Sequence, residues 1–142
     1  MNKKVTTILS LSAILLLVTG CGGKKLVCSK NEEKSEVKYT VKFNKDKASS
    51  LNMQMSYDYS DANLSDDEVK QINEQNYCDI LKSEDGMKSA ISKCKSDFKK
   101  NIYKVNATVN LSKISNSNLG FNNETSYDDV KKYYEDQGFT CK

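Results

Sequence analysis

Residues 36–43 read EVKYTVKF, and this stretch decides the fold class. Val, Tyr, Val and Phe occupy every second position, with charged or hydroxyl-bearing residues between them. Successive side chains of a strand point to opposite faces of a sheet, so strict alternation is typical of a strand with one buried and one solvated face. The stretch therefore predicts a half-buried strand.

Two further stretches have the same period. Residues 51–59 alternate Leu, Met, Met, Tyr and Tyr with polar residues, and residues 103–111 alternate Tyr, Val, Ala, Val and Leu with Lys, Asn and Thr. We expect residues 36–43 and 51–59 to form a hairpin around a polar turn at 44–50. Short strands are predicted at 26–28 and 139–141, with a polar loop at 29–35. The Met and Tyr stripe of 51–59 has two interpretations, a buried sheet face or a binding face.

Capping residues and helical periodicity predict three helices. Ser65 and Glu68 have the spacing of a capping box, which begins a helix that runs to about residue 82. The acidic residues at 66–68 suit the positive end of a helix dipole, and cation binding is the alternative. The apolar residues of 87–98 recur at i, i+3, i+4, i+7 and i+11, which indicates a second helix. A third begins after Ser126 and ends at Gly138.

The predicted order is β-β-β-α-α-β-α-β. It indicates an α+β fold, in which an antiparallel sheet of about four to five strands has two to three helices packed on one face. Residues 26–142 are expected to form this single domain. The polar side chains of the strands would point to solvent on the other face. That face and the Asn- and Ser-rich loop at 115–124 are the features that a partner would meet.

The N-terminus has the three parts of an export signal. Lys3 and Lys4 precede an apolar stretch at 5–20, which is shorter than the roughly 20 residues that a spanning helix needs. The stretch ends in Val18, Thr19, Gly20 and Cys21, with small residues before the cysteine.

These four residues resemble the lipobox of bacterial lipoproteins position by position. The resemblance implies that diacylglycerol is attached to the sulfur of Cys21, that residues 1–20 are removed as a signal peptide, and that the new amino group is acylated. Residues 21–25 would then be the lipidated cysteine and a short linker. The expected location is the extracytoplasmic face of the cell membrane, with membrane lipid as the partner of Cys21. An ordinary secretory signal with a chance cysteine is the alternative.

Four cysteines remain after Cys21, namely Cys28, Cys78, Cys94 and Cys141. An even number in an exported domain favours two disulfides, and four cysteines allow three pairings. We favour Cys28–Cys141, which ties the two ends of the domain, and Cys78–Cys94, at comparable depth on two arms of a helical hairpin. Free thiols and metal or redox chemistry are the alternatives, although no C-x-x-C motif is present.

Composition limits the function classes. The chain has no His, Arg, Trp or Pro, and its 22 lysines face 19 acidic residues. The absence of His removes the most frequent general base and metal ligand. Charges that are interspersed and nearly balanced argue against nucleic acid as a partner and against strong attraction to anionic headgroups. We expect no catalytic residue, no metal and no cofactor.

The whole chain resembles small lipoproteins of low-GC Gram-positive bacteria, including the YehR-like group. The lipobox, the cysteine soon after it, the alternating strand pair and the tail segments at 126–132 and 137–142 carry this resemblance. It implies an α+β extracytoplasmic domain of uncharacterised function, with no catalytic residues to transfer. The leading hypothesis is a surface binding module for an envelope protein, a cell-wall polymer or a small ligand. The alternative is a passive structural, accessory or inhibitory component of an envelope complex, and enzyme activity is not expected.

Overall fold

A computed structural model describes residues 23–114 and 119–142. Within these residues the chain forms six strands, four α-helices and one short 3-10 helix at Leu111–Lys113. The strands are β1 (Lys25–Glu32), β2 (Ser35–Asn44), β3 (Lys47–Asp58), β4 (Ile91–Lys99), β5 (Ile102–Asn110) and β6 (Thr140–Cys141). The helices are α1 (Asp66–Glu74), α2 (Tyr77–Ser83), α3 (Met87–Ala90) and α4 (Tyr127–Asp136).

All six strands form one antiparallel sheet in the order β4-β5-β3-β2-β1-β6. Two-residue turns join β2 to β3 and β4 to β5. The α+β class and the antiparallel sheet are confirmed. The predicted counts of strands and helices are too low, because the sheet gains a strand and the helical segments are divided.

The helices cover one face of the sheet and enclose the core with it. The alternating apolar residues of the strands point to this face, and α4 contributes Val130 and Tyr134. Tyr134 stacks on Tyr39 of β2 with ring centroids 4.9 Å apart. Burial raises the pKa of Tyr134, so its hydroxyl stays neutral inside the core. Packing of amphipathic helices on alternating strands therefore supplies the hydrophobic stabilisation of the domain.

The predicted helix over residues 87–98 is wrong for most of its length. Only Met87–Ala90 is helical, and the chain continues as β4, which pairs with β5 along its whole length. Cys94, Ser96 and Phe98 face the helices, while the charged residues between them face away. This period of two is weak in the sequence because Ser96 is polar, and the apolar stripe at helical spacing masks it. The unpaired edge of β5 decides the outcome, since a strand satisfies its backbone groups.

The single helix predicted over residues 65–82 is two helices. Ser65 and Glu68 form the predicted capping box at the start of α1. The side chain of Asn76 accepts a hydrogen bond from the Cys78 N–H and caps a second helix, α2. An Asn side chain that bonds to the backbone offers an alternative to the continued helix, so the chain breaks there.

Two predicted loops are shorter than expected. β1 continues through residues 29–32, where a loop was predicted, because polar side chains are tolerated near the edge of a sheet. The turn predicted at 44–50 is reduced to Lys45 and Asp46. The last helix is confirmed, with Ser126 as its N-cap and Gly138 at a φ of 84° just after its end. Residues 119–124 of the predicted loop at 115–124 are irregular, and residues 115–118 lie outside the described part.

Candidate functional site

The four cysteines that follow Cys21 form two disulfide bonds. Cys28 of β1 is bonded to Cys141 of β6, its opposite residue in the sheet, with the two Cα atoms 4.0 Å apart. Cys78 of α2 is bonded to Cys94 of β4, with the Cα atoms 5.7 Å apart. Both bonds belong to the favoured pairing, although Cys94 lies on a strand and not on an arm of a helical hairpin. Since all four sulfurs are bonded, none is a thiolate that could bind a metal or act as a nucleophile.

Residues 18–21, which resemble a lipobox, lie outside the described residues, so both the lipobox and lipid attachment at Cys21 stay predictions. The described chain begins at Gly23, whose backbone lies against the end of β2. A Cβ atom built on Gly23 would be 1.6 Å from the carbonyl oxygen of Phe43. The N–H of Phe43 donates a hydrogen bond of 2.8 Å to the carbonyl of Lys24. Residues 23–25, which were predicted as linker, are therefore packed against or part of the sheet.

The interior of the described domain has no unpaired polar group. In residues 23–114 and 119–142 every buried side-chain nitrogen or oxygen has a hydrogen-bond partner. The same residues contain no group of three His, Cys, Asp or Glu side chains placed to hold a metal ion. None of the helices described is long and apolar enough to cross a bilayer. The groups that could meet a ligand therefore lie on the surface.

The largest such surface is the face of the sheet that the helices leave uncovered, which we call the open face. It consists of every second side chain of β1 to β5, those that point away from the core. Apart from Val27 and Ile102 near its margins, its side chains are Lys, Asn, Gln, Ser, Thr and three acids. Five strands about 4.8 Å apart and nine residues long give it an area of roughly 600 Å². This is close to the roughly 800 Å² per partner of a standard protein interface.

The open face carries an excess of positive charge. Seven lysines lie on it against three acids, Glu36, Asp58 and Asp97, and Asp97 is paired with Lys99 at 3.1 Å. The lysines are Lys25, Lys38, Lys42, Lys93, Lys95, Lys99 and Lys104. The helices and the turn between α2 and α3 carry eleven acids and five lysines. The charges that alternate along the sequence are thus separated by the fold into a basic sheet face and an acidic helical layer.

The centre of the open face is a shallow hollow of about 340 Å³. Lys38, Lys95 and Lys104 lie around it, with Glu36 and Asp97 at one end. Beside it the Nδ2 group of Asn52 is within hydrogen-bond distance of the Asn106 Oδ1 at 2.9 Å and the Thr108 Oγ1 at 3.1 Å. Hydrogen bonds hold Asn52, Asn106 and Thr108 in place, so a ligand would meet these groups without a large loss of side-chain entropy. The lysine side chains would lose rotamer freedom on contact with a ligand.

A second, smaller cleft lies between the sheet and helices α1 and α2. Tyr57, Tyr59, Tyr77 and Tyr103 line a cleft of about 180 Å³. The hydroxyl of Tyr103 donates to the Gln75 carbonyl at 2.8 Å, and burial raises the pKa of Tyr77. Ligand pockets usually have 300–1,000 Å³, so this cleft is small for a binding site.

Burial decides between the two interpretations of the stripe at 51–59 for three of its five residues. Leu51, Met53 and Met55 are buried in the core, which confirms the interpretation as a sheet face. Only Tyr57 and Tyr59 are partly exposed, and they line the cleft.

The two ends of the sheet also differ in charge. The proximal end, where β1 and β3 begin and β2 and β5 end, has six lysines and four acids. They are Lys24, Lys25, Lys42, Lys45, Lys47 and Lys113, with Asp46, Glu124 and, in the first turn of α4, Asp128 and Asp129. The distal end, around the turns from β1 to β2 and from β4 to β5, has three lysines and four acids. They are Lys34, Lys99 and Lys100, with Glu32, Glu33, Asp58 and Asp61.

The predicted open face is present, but its charge was not foreseen. Lys38 is far from Lys95 and Lys104 in the sequence and lies near them only because β3 pairs with both β2 and β5. The signal that could have found part of this cluster is the charged residue at every second position of 93–99, namely Lys93, Lys95, Asp97 and Lys99, which marks one face of a strand.

Comparison with known proteins gives a likeness of fold alone. No protein-family model matches the sequence, and no curated protein matches it significantly. An NMR structure of a protein from Streptococcus pneumoniae TIGR4 matches with a TM-score of 0.52. It is 12% identical and the match covers 100% of this chain and 98% of that chain.

Proposed function

We propose that this protein is a lipid-anchored binding module that holds an extended polyanion of the cell envelope on its open face. Lipid on Cys21 would fix the domain at the extracytoplasmic side of the membrane. The single observation that carries the binding proposal is the uncovered, lysine-rich face across five strands. A polymer with repeated phosphate or carboxylate groups has the complementary charge and can lie across several strands at once.

The chemistry of the open face favours an anion over other ligands. No aromatic side chain lies on it, so it offers no platform for stacking on sugar rings. It has no apolar patch of the kind that an amphipathic helix would cover. Lysine ammonium groups with neighbouring amides and hydroxyls are suited to the oxygens of a phosphate or carboxylate.

Binding of inorganic polyphosphate tests the proposal, with neutral dextran as the comparison. The triple variant Lys38→Gln, Lys95→Gln, Lys104→Gln removes three charges around the central hollow. If each exposed contact contributes about 0.5–1 kcal/mol, affinity falls roughly tenfold to a hundredfold. Binding should also weaken steeply between 50 mM and 200 mM salt, as for any contact that releases counterions.

A matched control removes three exposed lysines from the helical layer, in the variant Lys70→Gln, Lys82→Gln, Lys88→Gln. It has the same net charge as the open-face variant, so the two differ only in where charge is lost. We expect the control to bind polyphosphate within about twofold of the unchanged protein. Equal losses in both variants, or no binding of polyphosphate by the unchanged protein, would contradict the proposal.

A further inference from the structure

The proximal end of the sheet has more positive charge than its neighbours neutralise. Lys24 is paired with Asp46 at 3.3 Å, and Lys47 is paired with Glu124. The described residues give Lys25, Lys42 and Lys45 no carboxylate partner, and all three side chains are exposed. Among the described residues, Lys25, Lys42 and Lys45 are therefore cations of the sheet and its turn that no ion pair neutralises.

Two of these cations face each other directly. Lys25 of β1 and Lys42 of β2 are opposite residues of an antiparallel pair and point to the same face. Like charges at directly opposite positions destabilise a sheet. An anion placed across this pair would relieve the repulsion.

The third cation occupies the tip of the turn between β2 and β3. Lys45 has a φ of 58°, in the left-handed region that Gly, Asn and Asp prefer. Its side chain lies beyond the ends of both strands. It therefore extends the basic surface past the edge of the sheet.

The path of the chain brings this end next to the predicted anchor. Gly23 packs on the Phe43 carbonyl, and the Lys24 carbonyl accepts the Phe43 N–H. Cys21 is two residues before Gly23, so their Cα atoms are at most about 7 Å apart. A lipid on Cys21 would hold the proximal end, and not the distal end, at the headgroups.

We propose that the proximal end of the sheet docks on an anionic phospholipid surface through Lys25, Lys42 and Lys45. This inference rests on the proposed anchor, because lipid on Cys21 supplies the closeness that the charges then use. The near-neutral net charge argued against attraction to headgroups, but the fold gathers cations at one end. Docking there places the strands perpendicular to the membrane, with the distal end about 30 Å away. Lys25 and Lys42, at the proximal margin of the open face, would contact the headgroups, and the rest of the open face, including the central hollow, would stay exposed.

Lysine acylation with a water-soluble reagent tests the docking on the lipidated protein. The protein is bound to vesicles of phosphatidylcholine alone or mixed with phosphatidylglycerol, and each lysine is read by peptide mass spectrometry. We expect the anionic vesicles to slow acylation of Lys42 and Lys45 by about fivefold, the factor for one cation near an anionic surface. Lys34 and Lys100 at the distal end should change by less than about twofold.

A pair of variants locates the effect, with Lys47 as the reporter. Lys47 lies at the same end, paired with Glu124, and we expect anionic vesicles to slow its acylation as well. The variant Lys25→Gln, Lys42→Gln, Lys45→Gln should abolish this protection of Lys47. The distal variant Lys34→Gln, Lys99→Gln, Lys100→Gln should preserve it. Surface substitutions of this kind rarely change stability by more than about 0.5 kcal/mol, so both are expected to fold.

The two proposals fail in different ways. Flotation with phosphatidylcholine vesicles reports the lipid anchor alone, and protein that does not float with them overturns the anchor. Equal acylation of Lys42 and Lys45 on both kinds of vesicle overturns the docking, whether or not the protein floats. Slower acylation at the proximal end alone, reversed in 0.5 M salt, supports it.

Discussion

Removal of the Cys28–Cys141 bond should destabilise the domain more than removal of Cys78–Cys94. The two bonds close loops with sequence separations of 113 and 16 residues. In the chain-entropy model these loops are worth about 4.8 and about 3.1 kcal/mol respectively. We therefore expect the variant Cys28→Ala, Cys141→Ala to lose about 1.7 kcal/mol more of its free energy of unfolding than the variant Cys78→Ala, Cys94→Ala.

The comparison is matched for packing. Each variant removes one buried sulfur, in Cys28 or Cys78, and one half-buried sulfur, in Cys141 or Cys94. The local cost of the lost side-chain contacts is therefore similar, and the difference between the variants reports loop length. The sum of both bonds, about 8 kcal/mol, is comparable to the whole stability of a typical domain, so the fully reduced protein should be largely unfolded.

Urea unfolding followed by circular dichroism in oxidising buffer measures the two losses. The m-value should increase in both variants, because an uncrosslinked denatured chain exposes more surface. An equal or larger loss of free energy of unfolding in the variant that lacks Cys78–Cys94 would contradict the expected dependence on loop length. So would a loss of less than about 1 kcal/mol on removal of Cys28–Cys141.

Three further variants test the local structure. Ser65→Ala removes the N-cap of α1 and should lower the free energy of unfolding by about 1 kcal/mol in urea titrations. Tyr103→Phe removes the hydroxyl that bonds to the backbone between α1 and α2, and the same assay should show a loss of about 1–2 kcal/mol. Lys100→Asn with Asn101→Gly should gain about 0.5–1 kcal/mol in thermal unfolding, because both residues have positive φ. A lower stability of the turn variant, or an unchanged free energy of unfolding in Ser65→Ala or Tyr103→Phe, would contradict the role given to that residue.

The sequence predicts the fold where local pattern and tertiary context agree. The alternation in β2, β3 and β5 predicts strands, and each has sheet neighbours on both sides. The residues of β4 carry both a helical stripe and a period of two, and only the free edge of β5 selects the strand. The pattern of residues within β4 cannot contain that information, because the free edge belongs to another strand, β5.

The open face is likewise predictable from the sequence only in part. A polar face is predicted from alternation within each strand, and the structure has it. Its charge depends on which strands are neighbours, as Lys38 and Lys104 show on β2 and β5 with β3 between them. The proximal cluster likewise depends on the pairing that puts Lys25 opposite Lys42.

Intact mass spectrometry of the protein extracted from membranes shows directly whether lipid is attached to Cys21. We expect a chain that starts at Cys21 and carries the added mass of acyl chains. Reduction should add four hydrogen atoms, two for each disulfide bond. A mature chain without acyl mass, or one that starts at a residue other than Cys21, would contradict the claim that lipid holds this domain at the membrane.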